Sequence, residues 1–239
     1  MSKIRIFPDS RALIHAAAEA FVTLAAESIT THGRFSVGLC GGSTPRPLYE
    51  LLAADSLAPR IEWANVHIFW GDERCVPPDD AASNYRMARE TLLDHVPLPD
   101  QNIHRIQGEL PPAQAAATYE QVLRDFFNGS PRFDLLLQGM GDDGHTASLF
   151  PGTRALREQT RWVVENHVEK LDSWRITLTV PAINNAAHVI VLVDGKNKAP
   201  ALRAVLRGPS LPETYPAQLI QPSAGDVVWM VDAQAASLL

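Results

Sequence analysis

The chain has 239 residues, 46% of them apolar and 20% charged, with a formal net charge of −6. That length and apolar fraction support one sizeable α/β domain spanning residues 1–239. The acidic balance speaks against nucleic acid as a partner, because backbone phosphates need a basic face, whereas a small anion needs only a few local Arg and Lys side chains.

Cys40 and Cys75 are the only cysteines, too few for a disulfide framework and consistent with a reducing cytoplasm. The opening MSKIRIFPDS lacks the apolar core of a signal peptide, and no apolar run is read as reaching the roughly 18 residues of a membrane span. A soluble cytoplasmic monomer without a membrane partner is the expectation.

Residues 4–7 read as a short strand. A long helix follows, capped by Asp9 or Ser10, with Leu13, Ala17, Phe21, Leu24 and Ile29 near helical spacing and Gly33 at its end. Its His15 and His32 are read as bystanders. The strand at 35–39 runs into Gly41-Gly42-Ser43-Thr44-Pro45, where two glycines allow a tight turn and Pro45 or Pro47 suits the first turn of a helix through Leu52. Unpaired amides at such a helix start make an anion site, although a simple capped turn would use the same residues. The Lys and spacing of a Walker loop are missing.

A strand at 66–70 delivers Gly71-Asp72-Glu73-Arg74-Cys75 as a loop to the same sheet edge. Two acids and a base directly after a buried strand are costly to place unless they face a polar cleft. Cys75 as a nucleophile would need a base from elsewhere. Helices are expected over 85–93 and 114–127, with a short strand at 103–106 between them.

The most informative stretch is FDLLLQGMGDDGHTASLFPG at 133–152. A buried strand leaves the sheet through Gly139, Gly141 and Gly144, which bracket Met140, Asp142 and Asp143, and His145 then stands at the carboxyl end of the strand, where open α/β sheets bind ligands. Strands at 162–164 and 175–180, a helix-prone 181–185, a strand at 188–193, a helix at 199–206 and a last strand at 226–231 complete the chain. Arg175 and Lys198 are the cations assigned to the site; a lysine at a helix start opposes the dipole, and an anion would explain it. The fold class is α/β, a doubly wound, mainly parallel sheet with helices on both faces. No His/Cys/carboxylate set with metal spacing is visible, so no metal or other cofactor is expected.

GGSTP at 41–45, WGDERCVPPDDAASNYRMA at 70–88, the 133–152 stretch, RITLT at 175–179 and GKNKAPAL at 195–202 together resemble the 6-phosphogluconolactonase family over nearly the whole chain. The resemblance implies a fold related to glucosamine-6-phosphate deaminase and hydrolysis of 6-phospho-D-glucono-1,5-lactone in the oxidative pentose phosphate pathway. It places the catalytic histidine on His145; Asp143, two residues away on the turn, is the natural orienter, with bonding to backbone amides as its alternative. It places phosphate contacts on Gly41, Gly42, Ser43, Thr44, Arg175 and Lys198, and the acid and arginine lining the sugar on Asp72 and Arg74. Which arginine takes the phosphate stays open. The family often has Pro and Asp where this chain has Ala81 and Ala82. An imidazole, which ordinarily titrates near 6.5, can take a proton from water and return it to the leaving alkoxide.

Two rivals follow. The deaminase-isomerases carry a catalytic glutamate just before the Pro-Gly that ends the motif, and this chain has Phe150 there. A sugar-phosphate-binding regulator would need a DNA-binding segment, for which the strand at Ile4 leaves no room.

Overall fold

The computed structural model describes residues 3–239. The first part of the chain contributes β1 (Lys3–Phe7), α1 (Ser10–His32), β2 (Phe35–Leu39), α2 (Arg46–Leu52) and β3 (Val66–Trp70). Next come β4 (Asp72–Arg74), α3 (Asn84–Thr91), α4 (Pro112–Phe127), β5 (Leu135–Gly139), β6 (Val163–Val168) and β7 (Ser173–Leu178). The chain closes with α5 (Val180–Asn184), β8 (His188–Val193), α6 (Ala199–Arg207) and β9 (Asp226–Asp232).

Six strands form one sheet in the order β1-β9-β8-β5-β2-β3, with every neighbouring pair parallel. All five residues of β2, and all of β8 after His188, are buried. Continuous burial means that both faces are covered, and the mainly apolar FSVGL and HVIVLV supply the runs that this requires. After β2 the chain moves outward to β3, and after β5 it moves the other way to β8. The sheet therefore reverses its winding between β2 and β5, and the loops leaving those two strands diverge to open a crevice at the carboxyl edge.

Three shorter strands make a second sheet, β4-β7-β6, antiparallel throughout. The segment after β3 is thus a strand rather than a loop: Asp72 to Arg74 pairs with residues 175–177, and Gly71 accepts the amide of Leu178. The segment 162–164 extends to Val168 as β6. The short strand expected at 103–106 is reduced to a single bridge between Ile68 and Ile103, with the His104 amide donating to the Ile68 carbonyl.

Asp9 caps α1 by accepting the amide of Ala12, and Gly33 ends it with a left-handed φ of 81°. Contrary to the sequence reading, α1 is long and apolar enough to cross a membrane by length and mean hydropathy (1.4). Here Leu13, Ala17 and Phe21 are fully buried against the sheet, while Glu19 and Glu27 lie on the exposed side. It packs as a core helix.

Near the far end of the sheet, His104 stacks on Phe69 (4.3 Å between centroids) and meets His67, with Phe126 beside both. Burial pulls the His104 imidazole down to about 4, and that of His67 also falls. An unfolded histidine titrates near 6.5, so His104 is neutral in both states above that pH and charges first in the unfolded chain below it. Stability present above pH about 6.5 is therefore lost as pH falls towards 4. We expect the thermal midpoint to drop across this window and the drop to be smaller in His104→Phe, by roughly 2–4 °C for each ~1 kcal/mol recovered; parallel curves would show that another group controls it.

Candidate active site

A cleft of about 440 Å³ sits at the crevice, lined from the ends of β2, β3, β5 and β8. Beyond β2, the backbone amide and carbonyl of Cys40 are both held by the Tyr49 hydroxyl, at 3.0 and 2.7 Å, so α2 fixes where the glycine turn begins. Gly42 has φ of 106°. A Cβ on residue 41 would lie 1.8 Å from the Asn84 Oδ1, so only glycine lets this turn close on α3. Thr44 donates its hydroxyl to Asp194 Oδ1, and Ser10 donates to Asp194 Oδ2 at 3.0 Å. The Thr44 hydroxyl thus serves to tie the turn to the end of β8, beside Gly41, Gly42 and Ser43 in the cleft lining.

Strand alternation sorts the GDER segment. Asp72 and Arg74 line the cleft, but Glu73 turns the other way, correcting the expectation that all three face it. Its carboxylate accepts the amides of Asn84 (2.7 Å) and Tyr85 (2.8 Å) and the Ser83 hydroxyl, capping α3 from across the chain. Burial raises its proton affinity in spite of those donors. Asp72 is only 7% exposed; Ser148 Oγ donates to its Oδ2 at 2.6 Å and Asn84 Nδ2 donates to its Oδ1 at 3.2 Å.

Arg74 and Arg175 are directly opposed in the β4–β7 ladder. Arg175 does not line the cleft: its guanidinium donates to Ser173 Oγ and to the Trp174 carbonyl. Its proton affinity is lowered by burial and then by the charge of Arg74. Cys75 beside them has its thiol raised to about 11 by burial, and Cys40 to about 12. Burial disfavours the thiolate of both, which weighs against either as a nucleophile.

After β5 the backbone folds tightly on itself. Gly141 donates to the His145 carbonyl (2.8 Å), Gly144 to the Gly141 carbonyl (3.1 Å), and Gly144 takes φ of 78°. This brings Asp143 Oδ1 within 2.6 Å of His145 Nδ1 and 3.2 Å of its backbone amide. The hydrogen bond to His145 holds Asp143 well below the usual carboxylate range. Phe150 stacks on the imidazole, 4.0 Å between centroids and 19° between planes. With Nδ1 taken by a carboxylate and one ring face covered, Nε2 is the nitrogen left for proton transfer.

Lys198 and Asn197, at the start of α6, close the opposite wall. Asn84, Ser148, Ala147 and Asp194 belong to the cleft or support it and were not assigned from sequence. Asn84 and Ser148 stood inside quoted motifs, and Asp194 stood before the glycine that follows β8. Among the described residues no group of three or more His, Cys, Asp or Glu side chains is placed to hold a metal ion.

Residues 8–229 match the family described as glucosamine-6-phosphate isomerases/6-phosphogluconolactonase. The chain is similar to a 6-phosphogluconolactonase of Nostoc, 44% identical over 99% of this chain and 98% of that protein. It is also similar in structure to a 6-phosphogluconolactonase from Trypanosoma cruzi, with a TM-score of 0.89, 31% identity and coverage of 100% of this chain and 97% of that one. A monomeric glucosamine-6-phosphate deaminase shares the fold alone, at a TM-score of 0.84 and 23% identity over 99% of this chain and 100% of its own.

The tightness around Gly141 gives a test independent of any activity. A Cβ there would lie 2.1 Å from His145 Nδ1 and 2.7 Å from Asp143 Oδ1. Gly141→Ala should fold yet lose the strongly downfield Nδ1 proton resonance that the short His145–Asp143 bond gives the wild type. An unchanged resonance would mean that the loop yields without separating the pair.

Proposed function

Because the chain belongs to the family of glucosamine-6-phosphate isomerases and 6-phosphogluconolactonases, we propose that this cleft hydrolyses 6-phospho-D-glucono-1,5-lactone with His145 as general base. Relatives named for that lactonase activity cover almost all of the chain, and the enzyme is a lactone hydrolase of the pentose phosphate pathway. The observation that carries the assignment of His145 is the 2.6 Å contact of its Nδ1 with Asp143 in a cleft that also holds Arg74 and Lys198.

In this reading Asp143 keeps the proton on Nδ1, so the neutral imidazole offers Nε2 to water. Water adds to the sp² carbonyl as Nε2 takes its proton. The tetrahedral oxyanion is stabilised by Arg74, the cationic side chain from β4 that faces the cleft. As the intermediate collapses, the ring C–O bond breaks and the imidazolium returns the proton to the departing oxygen. The phosphate lies against Lys198 and the amides of residues 41–44. Arg175 acts from behind Arg74: two like charges opposed on neighbouring strands are unfavourable, only partly offset by Asp72 and Glu73, and an anionic substrate relieves them. Asp72 holds the 145–149 segment through Ser148 rather than touching the reacting atoms. No step calls on a metal.

We further propose that residues 1–239 act as one domain and as a cytoplasmic monomer. Apolar residues of both sheets, such as Val37 and Leu137 from one and Ile176 and Leu178 from the other, share one buried cluster, which supports the single domain.

Lactone hydrolysis and ammonia release from glucosamine 6-phosphate, followed side by side with the enzyme-free rate subtracted and chelator present, test the assignment. Fast lactone opening without ammonia is expected; ammonia release would place the chain with the deaminases, and loss of activity to chelator would overturn the metal-free chemistry. His145→Ala should lower kcat by about 10²- to 10⁴-fold with KM nearly unchanged. Lys198→Ala should mainly raise KM, by roughly ten- to hundredfold, and erase the preference for the phosphorylated lactone; a variant that keeps the preference would move the phosphate elsewhere.

A further inference from the structure

We propose that Lys170 is a positioning residue for the reaction: its ammonium holds the outer oxygen of Asp143, so that the inner oxygen stays on His145 and the imidazole stays neutral in the ground state. The proposal rests on the lactonase reading, with His145 as base.

The geometry is a three-member chain. His145 Nδ1 meets Asp143 Oδ1 at 2.6 Å, and Lys170 Nζ meets Asp143 Oδ2 at 3.3 Å. Lys170 does not come from the loop that carries the pair. It sits on the single helical turn at the tip of the hairpin between β6 and β7, where Asp172 ends the turn with a left-handed φ of 41°. The small sheet thus reaches back over Phe150 to the catalytic loop, across a second cavity of about 710 Å³ that Asp143, Phe150 and Lys170 share.

A carboxylate bonded through one oxygen can still turn about its Cβ–Cγ bond, and each turn breaks the contact that fixes the imidazole tautomer. A cation on the second oxygen disfavours that rotation. It also offsets the negative charge that would otherwise favour imidazolium, which is useless as a base. Folding gains little from the contact, because Lys170 is 68% exposed and exposed pairs are weak. The contact therefore has more to offer the imidazole than the fold.

Other charged groups around the pair do different things. On the cleft side Asp72 and Asp194 are taken up by hydroxyl donors, while Arg74 and Lys198 face the substrate. Asp142 is exposed on the loop itself. On the other side Arg154 and Glu169 line the second cavity, where Glu158 and Glu165 are engaged with Arg161 and His167 bonds Asp172. Among the described residues only Lys170 is paired with Asp143 besides His145.

The test follows kcat, KM and the pH profile of kcat/KM for lactone hydrolysis in the wild type, Lys170→Met and Lys170→Arg at low salt. Lys170→Met should lower kcat by roughly two- to fivefold with KM within twofold. It should also shift the acidic limb upward by roughly half a pH unit, and Lys170→Arg should restore both. High salt should move the wild-type limb the same way and leave the Met variant in place. An unmoved limb in Lys170→Met, or a change confined to thermal midpoint and KM, would overturn the proposal. A wild type without lactonase activity, or one indifferent to His145→Ala, would instead overturn the reading on which it rests.

Discussion

The site depends on one buried carboxylate. Asp72 is almost wholly removed from water, and a charge in that position is tolerable only when its oxygens are satisfied. Ser148 and Asn84 satisfy them, and in doing so they join three segments that are far apart in sequence. Asn84 begins α3, Asp72 belongs to the small sheet, and Ser148 follows the loop that carries His145. Ser148 is held a second time through its amide, which donates to Thr177 Oγ1 at 3.2 Å. Between these anchors and His145, Ala147 takes a left-handed φ of 46°, a conformation that costs an L-residue about 1–2 kcal/mol. The chain accepts that cost because the hydrogen bonds on either side leave no other path, and the loop therefore presents His145 from a fixed frame.

The cleft gathers positive charge in a protein whose net charge is −6. Arg74 and Lys198 line it, and Arg175 stands behind Arg74. The acids nearby offset them only in part. Glu73 is spent on the start of α3, Asp72 on Ser148 and Asn84, and Asp194 on Ser10 and Thr44. Each acid is thus used as a clamp on the backbone that shapes the cleft, while the cations face a space that an anion can fill. Local arrangement, not overall charge, decides what enters.

Much of this was legible in the sequence wherever the signal was local. The strands at 35–39 and 66–70 are mainly apolar runs that lead into glycine turns, and α1 carries its own cap residues Asp9 and Gly33. The dyad was legible for the same reason: Asp143 and His145 are two residues apart on a glycine turn. What stayed hidden is set by pairing across the chain. Asp72 to Arg74 looks like a loop until residues 175–177 arrive to pair with it, and only that ladder reveals that Glu73 points away from the cleft and that Arg175 opposes Arg74. Lys170 has no motif around it, since its partner is 27 positions away. The second role of Thr44 likewise depends on Asp194, 150 positions later.

Phe150 shows how little separates the two chemistries this fold carries. It stacks on His145 and is 8% exposed, so its ring is packed where the resemblance to the deaminases would place an ionisable side chain. A carboxylate there would need hydrogen-bond donors of its own and would favour the protonated imidazole, which is of use when a ring must be opened and a proton moved between carbons. An aromatic ring needs no donors. It covers one face of the imidazole and so leaves Nε2, on the cleft side, for the proton exchange proposed above. Hydrolysis of a lactone asks for that one exchange: a proton taken from water and given back to the ring oxygen by the same nitrogen. In the proposed reaction, the residue that stands in place of an acid is therefore also the one that packs against the base.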